Sequence, residues 1–113
     1  MSSQVLSPQA LEAWIGLLRG HAALTRKLNA DLIAEHGMTI NDYDVLVHLD
    51  RAPDRRMRRV DLAQSILLTA SGITRLLDGL ERSGWVCKSQ CESDARVTYA
   101  VLTDEGADRK SVV

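Results

Sequence analysis

Residues 60–102 read VDLAQSILLTASGITRLLDGLERSGWVCKSQCESDARVTYAVL, and this stretch decides the fold. Its pattern is a short helix, a turn, a second helix, and two strand-like runs around a charged turn. The second helix occupies the segment Thr69 to Ser83. Thr69 suits its N-cap, because the hydroxyl can accept a hydrogen bond from a first-turn amide. Gly84 stands where a helix closes on a left-handed residue. At about 100° per residue, Ile73, Leu76, Leu77 and Leu80 collect on one side. Ser71, Thr74, Arg75, Asp78 and Arg82 collect on the other. One face packs, while the opposite face is small, polar and hydrogen-bonding, as insertion into a groove requires. Any amphipathic surface helix shares that pattern, so the flanking residues carry the decision.

Ten residues before Ile73 stands Ala63, on a segment whose apolar positions are Val60, Leu62, Ala63, Ile66 and Leu67. A small residue there lets two helices cross closely, with Ile73 filling the angle between them. That is the packing demand of a helix-turn-helix, whose second helix enters the major groove. WVCKSQ and RVTYAVL then flank the polar turn CESDA, which predicts a hairpin wing beside the recognition helix.

Taken together, SGITRLLDGLERSGWV, the turn carrying Asp94-Ala95-Arg96, and VTYAVLTDEG resemble the MarR family of winged helix-turn-helix regulators. The wing's Asp-x-Arg, the Leu102-Thr103 pair and Gly106 fall at that family's spacing. The likeness runs from about Leu11 to Gly106. It implies a mainly α fold in the order α-α-β-α-α-β-β, with a long N-terminal helix shared with a dimer interface. Residues 1–113 then form one domain, divided into a dimerisation helix (7–38), a DNA-binding region (39–102) and the start of a C-terminal dimerisation helix (103–113). The implied function is a sequence-specific, ligand-responsive repressor that binds a pseudopalindromic operator in double-stranded DNA as a homodimer. On that reading Thr69 to Arg75 face the bases, with Thr74 and Arg75 reaching them, while Ser71 and Lys88 hold phosphates. Arg96 works from the wing, oriented by Asp94, and Ala95 replaces a second arginine common in relatives.

Working outward, the charges are unevenly placed. The chain of 113 residues has a net charge of −1, yet residues 55–96 carry eight basic against five acidic side chains. Positive charge thus concentrates on the expected reading head, as a polyanion-binding module requires. Charged residues at 26% and hydrophobic ones at 45% fit a globular protein, and the absence of phenylalanine leaves its core to aliphatic residues. No apolar run approaches the roughly 18 residues of a membrane span, and MSSQVLSPQA is not a signal peptide. The expected location is the cytoplasm, without membrane association.

Ser7-Pro8 predicts the start of a long first helix, with Leu11, Trp14, Ile15, Leu18, His21, Leu24, Leu28 and Leu32 at helical spacing up to His36-Gly37. Nearly thirty residues make roughly 43 Å of helix, more than one small head covers. A second helix is expected from Thr39 to Arg51, capped by Asn41, with Tyr43, Leu46, Val47 and Leu49 on its buried side. Arg55-Arg56-Met57-Arg58-Arg59 predicts an edge strand beside the wing, with phosphate contact by at least one of its arginines. Thr103-Asp104-Glu105 opens a further helix. Members of the family normally continue for about two more helices, so the resemblance implies a dimer built through the first helix and the tail.

No catalytic constellation or cofactor motif is present, which argues against an enzyme. His21, His36 and His48 lack ligand spacing, so no metal is expected. Cys87 and Cys91, if on one strand, lie roughly 13 Å apart, beyond the ~7 Å limit for a disulfide. Trp14, His21, Tyr43 and His48 are candidates for lining a cavity that takes a small aromatic or phenolic effector, as the resemblance implies; core filling is the alternative. The rival function is a winged-helix protein-interaction module that no longer binds DNA, distinguished by binding that ignores salt.

Overall fold

The computed structural model describes residues 7–90, 93 and 96–113. Its elements follow the expected order: α1 (Pro8–His36), α2 (Ile40–Arg51), a tight turn (Pro53–Arg55), β1 (Arg56–Arg58), α3 (Arg59–Ser65), α4 (Ala70–Arg82), β2 (Val86–Gln90), β3 (Thr98–Leu102) and α5 (Asp104–Ser111).

Ser7 caps α1 by accepting from the Ala10 amide at 3.1 Å, and Gly37 ends it at φ 68°. No residue of α1 is buried, and Trp14 (52%), Leu17 (64%) and Leu24 (58%) are the plainest of its exposed apolar side chains. Its last turns are tied to the head by polar contacts. The Ile40 amide donates to Asn29 Oδ1 at 2.9 Å, and Arg109 donates to the His36 carbonyl at 2.6 Å.

The cap of α2 is Thr39 rather than the expected Asn41. Thr39 stands three residues before Asp42, so the two side chains satisfy each other's backbone amides at 3.0 and 2.9 Å. Asn41 lies exposed inside the first turn of α2, which begins at Ile40. The buried side of α2 is Val45, Leu46 and Leu49; Tyr43 and Val47 are only half-buried, and Val45 is an addition to the expected set.

The three strands form an antiparallel sheet in the order β1-β3-β2, with Arg58 opposite Tyr99 and Val86 opposite Leu102. Of the arginine-rich segment, Arg56–Arg58 is the edge strand that its sequence predicts, while Arg55 closes the preceding turn and Arg59 opens α3. Leu46, Leu49, Leu62, Ile73, Leu77 and Val86 are each at most 1% exposed and bind α2, α3, α4 and β2 into one core. Burying each is worth about 1.5–3 kcal/mol.

One knot fixes α5 against the base of the wing. The Thr103 hydroxyl donates to the Gly84 carbonyl at 2.7 Å and accepts from the Gly106 amide at 3.0 Å, while the Thr103 amide donates to the Trp85 carbonyl at 3.1 Å. A Cβ on Gly106 would overlap that same carbonyl. Gly84 takes φ 80°, where a side chain is strained.

Candidate nucleic-acid interface

α3 ends at Ser65, and the connection to α4 turns through Leu67 at φ 60°. Leu67 is 90% exposed, so it is the pivot of the turn and lies outside the packed face of α3. The Leu68 amide reaches back to the Ala63 carbonyl at 2.9 Å. Ala63 (6% exposed) and Ile73 (1%) then meet as the sequence predicts, fixing the angle between the helices.

α4 buries Ile73, Leu77 and Leu80 and half-buries Leu76. Its opposite face presents Thr69, Ser71 and Arg75 to solvent. Thr69 Oγ1 accepts from the Gly72 amide at 3.1 Å and lies 3.3 Å from Ser71 Oγ. Thr74 is half-buried and donates its hydroxyl to the Ala70 carbonyl at 2.9 Å. What Thr74 offers outward is thus its lone pairs and methyl group.

Lys88, on β2, donates to Asp78 on α4, so the wing is strapped to the recognition helix. That hydrogen bond holds the Asp78 carboxyl below the ordinary carboxylate range. Lys88 is therefore already engaged by Asp78. The sequence puts Asp78 on the polar face of α4 but does not show its pairing with Lys88. Its partner comes from a strand ten residues later, a separation with no periodicity to betray it.

Arg96 is exposed just before β3; Asp94, Ala95 and Cys91 lie outside the described residues. Cys87 is an exposed free thiol. On β1, Arg56 stacks over the Tyr99 ring at 4.7 Å, and Arg58 grips Asp61 through Nε and a terminal nitrogen at 2.9 and 3.2 Å. A cavity of about 120 Å³ opens between the start of α3 and the foot of the wing, lined by Arg58, Arg59, Val60, Arg96, Val97 and Thr98. A second, more apolar cleft of about 260 Å³ lies between α3 and α4 against Ala63, Leu68 and Ile73.

The four candidate effector residues lie on the first two helices. Trp14 and His21 stand exposed on α1, Tyr43 and His48 are half-buried on α2, and none of them lines either cavity. His48 Nδ1 sits 2.7 Å from the Asp44 carbonyl. A carbonyl only accepts, so Nδ1 is the donor in this contact. No metal-binding cluster occurs among the described residues.

A crossed helix pair with a polar second helix, flanked by a three-stranded wing, defines a winged helix-turn-helix protein. The MarR family profile matches residues 36–97, and the chain belongs to that family of transcriptional regulators. The fold superposes on AbsC, a MarR family transcriptional regulator from Streptomyces coelicolor, with a TM-score of 0.87 at 33% identity, covering 98% of this chain and 74% of that one. A second MarR family regulator from the same organism, solved in complex with DNA, gives a TM-score of 0.88 at 31% identity over 96% of this chain and 68% of that one. Among curated relatives, the transcriptional repressor YetL of Bacillus subtilis (strain 168) is 33% identical over 76% of this chain and 53% of its own length. The chain spans about half to two-thirds of the length of the curated relatives it matches. Those relatives are regulators rather than enzymes. No described helix is long and apolar enough to cross a membrane.

Proposed function

We propose that this chain binds double-stranded DNA in a sequence-specific manner, with α4 in the major groove and the wing against the adjacent backbone. The observation that carries this reading is the exposed polar face of α4, Thr69, Ser71 and Arg75, presented by a helix whose other face is locked in the core. Arg75 and Thr74 read base edges. Ser71 holds a phosphate, Arg96 works from the wing beside Asp94, and Lys88 contributes once it is released from Asp78. The structural relative solved on DNA supports this assignment, and the relative named as a repressor supports repression as the output.

The unburied apolar face of α1 supports a homodimer, because Trp14, Leu24 and Leu28 lose their contact with water only against a partner. Residues 7–38 then serve dimerisation, together with 103–113, and residues 39–102 serve DNA binding. Two heads about one helical turn apart, roughly 34 Å, suit a pseudopalindromic operator. A second protomer also supplies the wall that Trp14, His21, Tyr43 and His48 lack for holding a small aromatic or phenolic acid.

The test is selection of bound sequences from a random duplex pool at stated salt. Enrichment of a two-fold related site is expected. Failure to enrich any sequence, with binding to protein partners instead, would favour the interaction-module reading.

A further inference from the structure

We propose that Arg109 is a positioning residue that passes the placement of α1 to the base of the wing, and that Glu105 receives its guanidinium when α1 moves away. None of the 29 residues of α1 is buried, so polar ties at its C-terminal end carry much of its placement. One tie is the Asn29 side chain, which accepts from the Ile40 amide at 2.9 Å. The other is Arg109, which donates to the His36 carbonyl at 2.6 Å. His36 is the last residue of α1, and its carbonyl is among the four that a helix leaves without an intrahelical partner. The partial negative charge of that helix end favours a guanidinium there.

The same guanidinium lies over the Trp85 ring, 5.4 Å from its centroid. Trp85 stands directly before β2, at the base of the wing. Its amide donates to the Leu80 carbonyl near the end of α4, and its carbonyl accepts from the Thr103 amide. A planar guanidinium offers its face to the ring while its edge donates, so one side chain holds α1 and the wing at once. Arg109 is itself carried on a fixed helix. Lys110 pairs with Asp50 of α2 at 3.0 Å, and Thr103 caps α5 while donating to the Gly84 carbonyl. A displacement of the end of α1 therefore reaches Trp85 through the Arg109 side chain, without any movement of α5.

A second position for the guanidinium is built into α5. Glu105 stands four residues before Arg109, the favourable order for an ion pair across one helical turn. The two form no salt bridge among the described residues. Glu105 Oε2 instead lies against the turn at Gly84, 3.0 Å from where a Cβ on that glycine would stand. An open cleft of about 450 Å³, lined by Trp85, Glu105, Asp108, Arg109 and Val112, gives the arginine room to swing between the two positions. With α1 in place, the edge of the guanidinium takes the His36 carbonyl; with α1 displaced, the Glu105 carboxylate takes it and Trp85 loses the stacked face. Relevance to the aim of the wing on a duplex rests on the DNA-binding reading; the joint itself does not.

The experiment follows the indole N–H signal of Trp85 by NMR in the full chain, with Trp14→Phe removing the other of the two tryptophans. The end of α1 is loosened by Asn29→Ala, which cuts its tie to the Ile40 amide. That substitution should shift the Trp85 signal, and adding Arg109→Met should shrink the shift about twofold or more. Arg109→Lys keeps a donor for the His36 carbonyl but lacks the planar face, so it should restore only part of the response. Glu105→Gln removes the competing charge, leaves the guanidinium on α1 and should also shrink the shift. Arg109 and Glu105 are both exposed, so their substitution leaves the core intact. A Trp85 signal indifferent to Asn29→Ala, or a shift of equal size with and without Arg109, would overturn the joint. An undiminished shift in Glu105→Gln would overturn the second position. No duplex enters this measurement, so failure of the DNA-binding reading leaves its outcome untouched.

Discussion

Arg75 stands exposed on the one face of α4 that the core leaves free, and the base-reading role proposed for it has a measurable size. Arg75→Ala is expected to lose about 1–3 kcal/mol of specific binding and to relax preference at one or two base pairs. Unchanged affinity and base preference in a competition assay would mean that α4 reads through another side chain. Leu67 makes a different prediction at the same scale. It is held left-handed and 90% exposed, so its side chain gains little by burial while its backbone is strained. Leu67→Gly should raise stability by about 1 kcal/mol in denaturant unfolding, and a loss of stability would contradict the strain argument. Asp78 adds a pH dependence with a definite sign. Its folded carboxyl is more acidic than normal, so the Lys88 strap stabilises above the unfolded value near pH 4 and is lost as pH falls through the lower folded value. Thermal melts of wild type and Asp78→Asn should therefore differ at neutral pH and converge in acid. A difference that persists undiminished in acid would show that the pair is not the cause.

Elements were legible in the sequence wherever a local rule fixes them. Thr69 and Gly84 delimit α4 through capping chemistry, Ser7-Pro8 and Gly37 delimit α1, and the four arginines around Met57 mark an edge strand. The cap of α2 was misplaced by two residues because Asn41 is as good a cap in isolation as Thr39; only the reciprocal bond with Asp42 separates them. The Lys88–Asp78 strap and the arginine cleft were not legible, since each joins elements whose distance in space no periodicity encodes. The knot between α5 and the wing is the element-scale feature most open to test. Gly106→Ala drives a methyl into the Trp85 carbonyl, beside Gly84 and Thr103. Overpacking of that kind should lower unfolding free energy by about 1–3 kcal/mol. An unchanged denaturation midpoint would show that α5 can shift without affecting the wing.

For the molecule as a whole, α1 is the unsatisfied part. It contributes no buried residue, and at about 25 cal/mol per Å² its exposed leucines and Trp14 represent many kcal/mol of drive toward a partner surface. Sedimentation equilibrium across micromolar concentrations should show a monomer–dimer equilibrium, with Leu24→Glu and Leu28→Glu shifted toward monomer. A single monomeric species unaffected by either substitution would remove the two-headed mode. Charge completes the picture: a chain of net −1 carries its positive excess on the reading head, so attraction to DNA must come from that face and must be screened by salt. The most direct test of DNA reading is the affinity for a selected duplex, measured against salt concentration. Phosphates neutralised by lysine and arginine on two heads predict a straight line of log affinity against log salt that falls by about 0.9 for each phosphate neutralised. Binding whose affinity does not change with salt would contradict it.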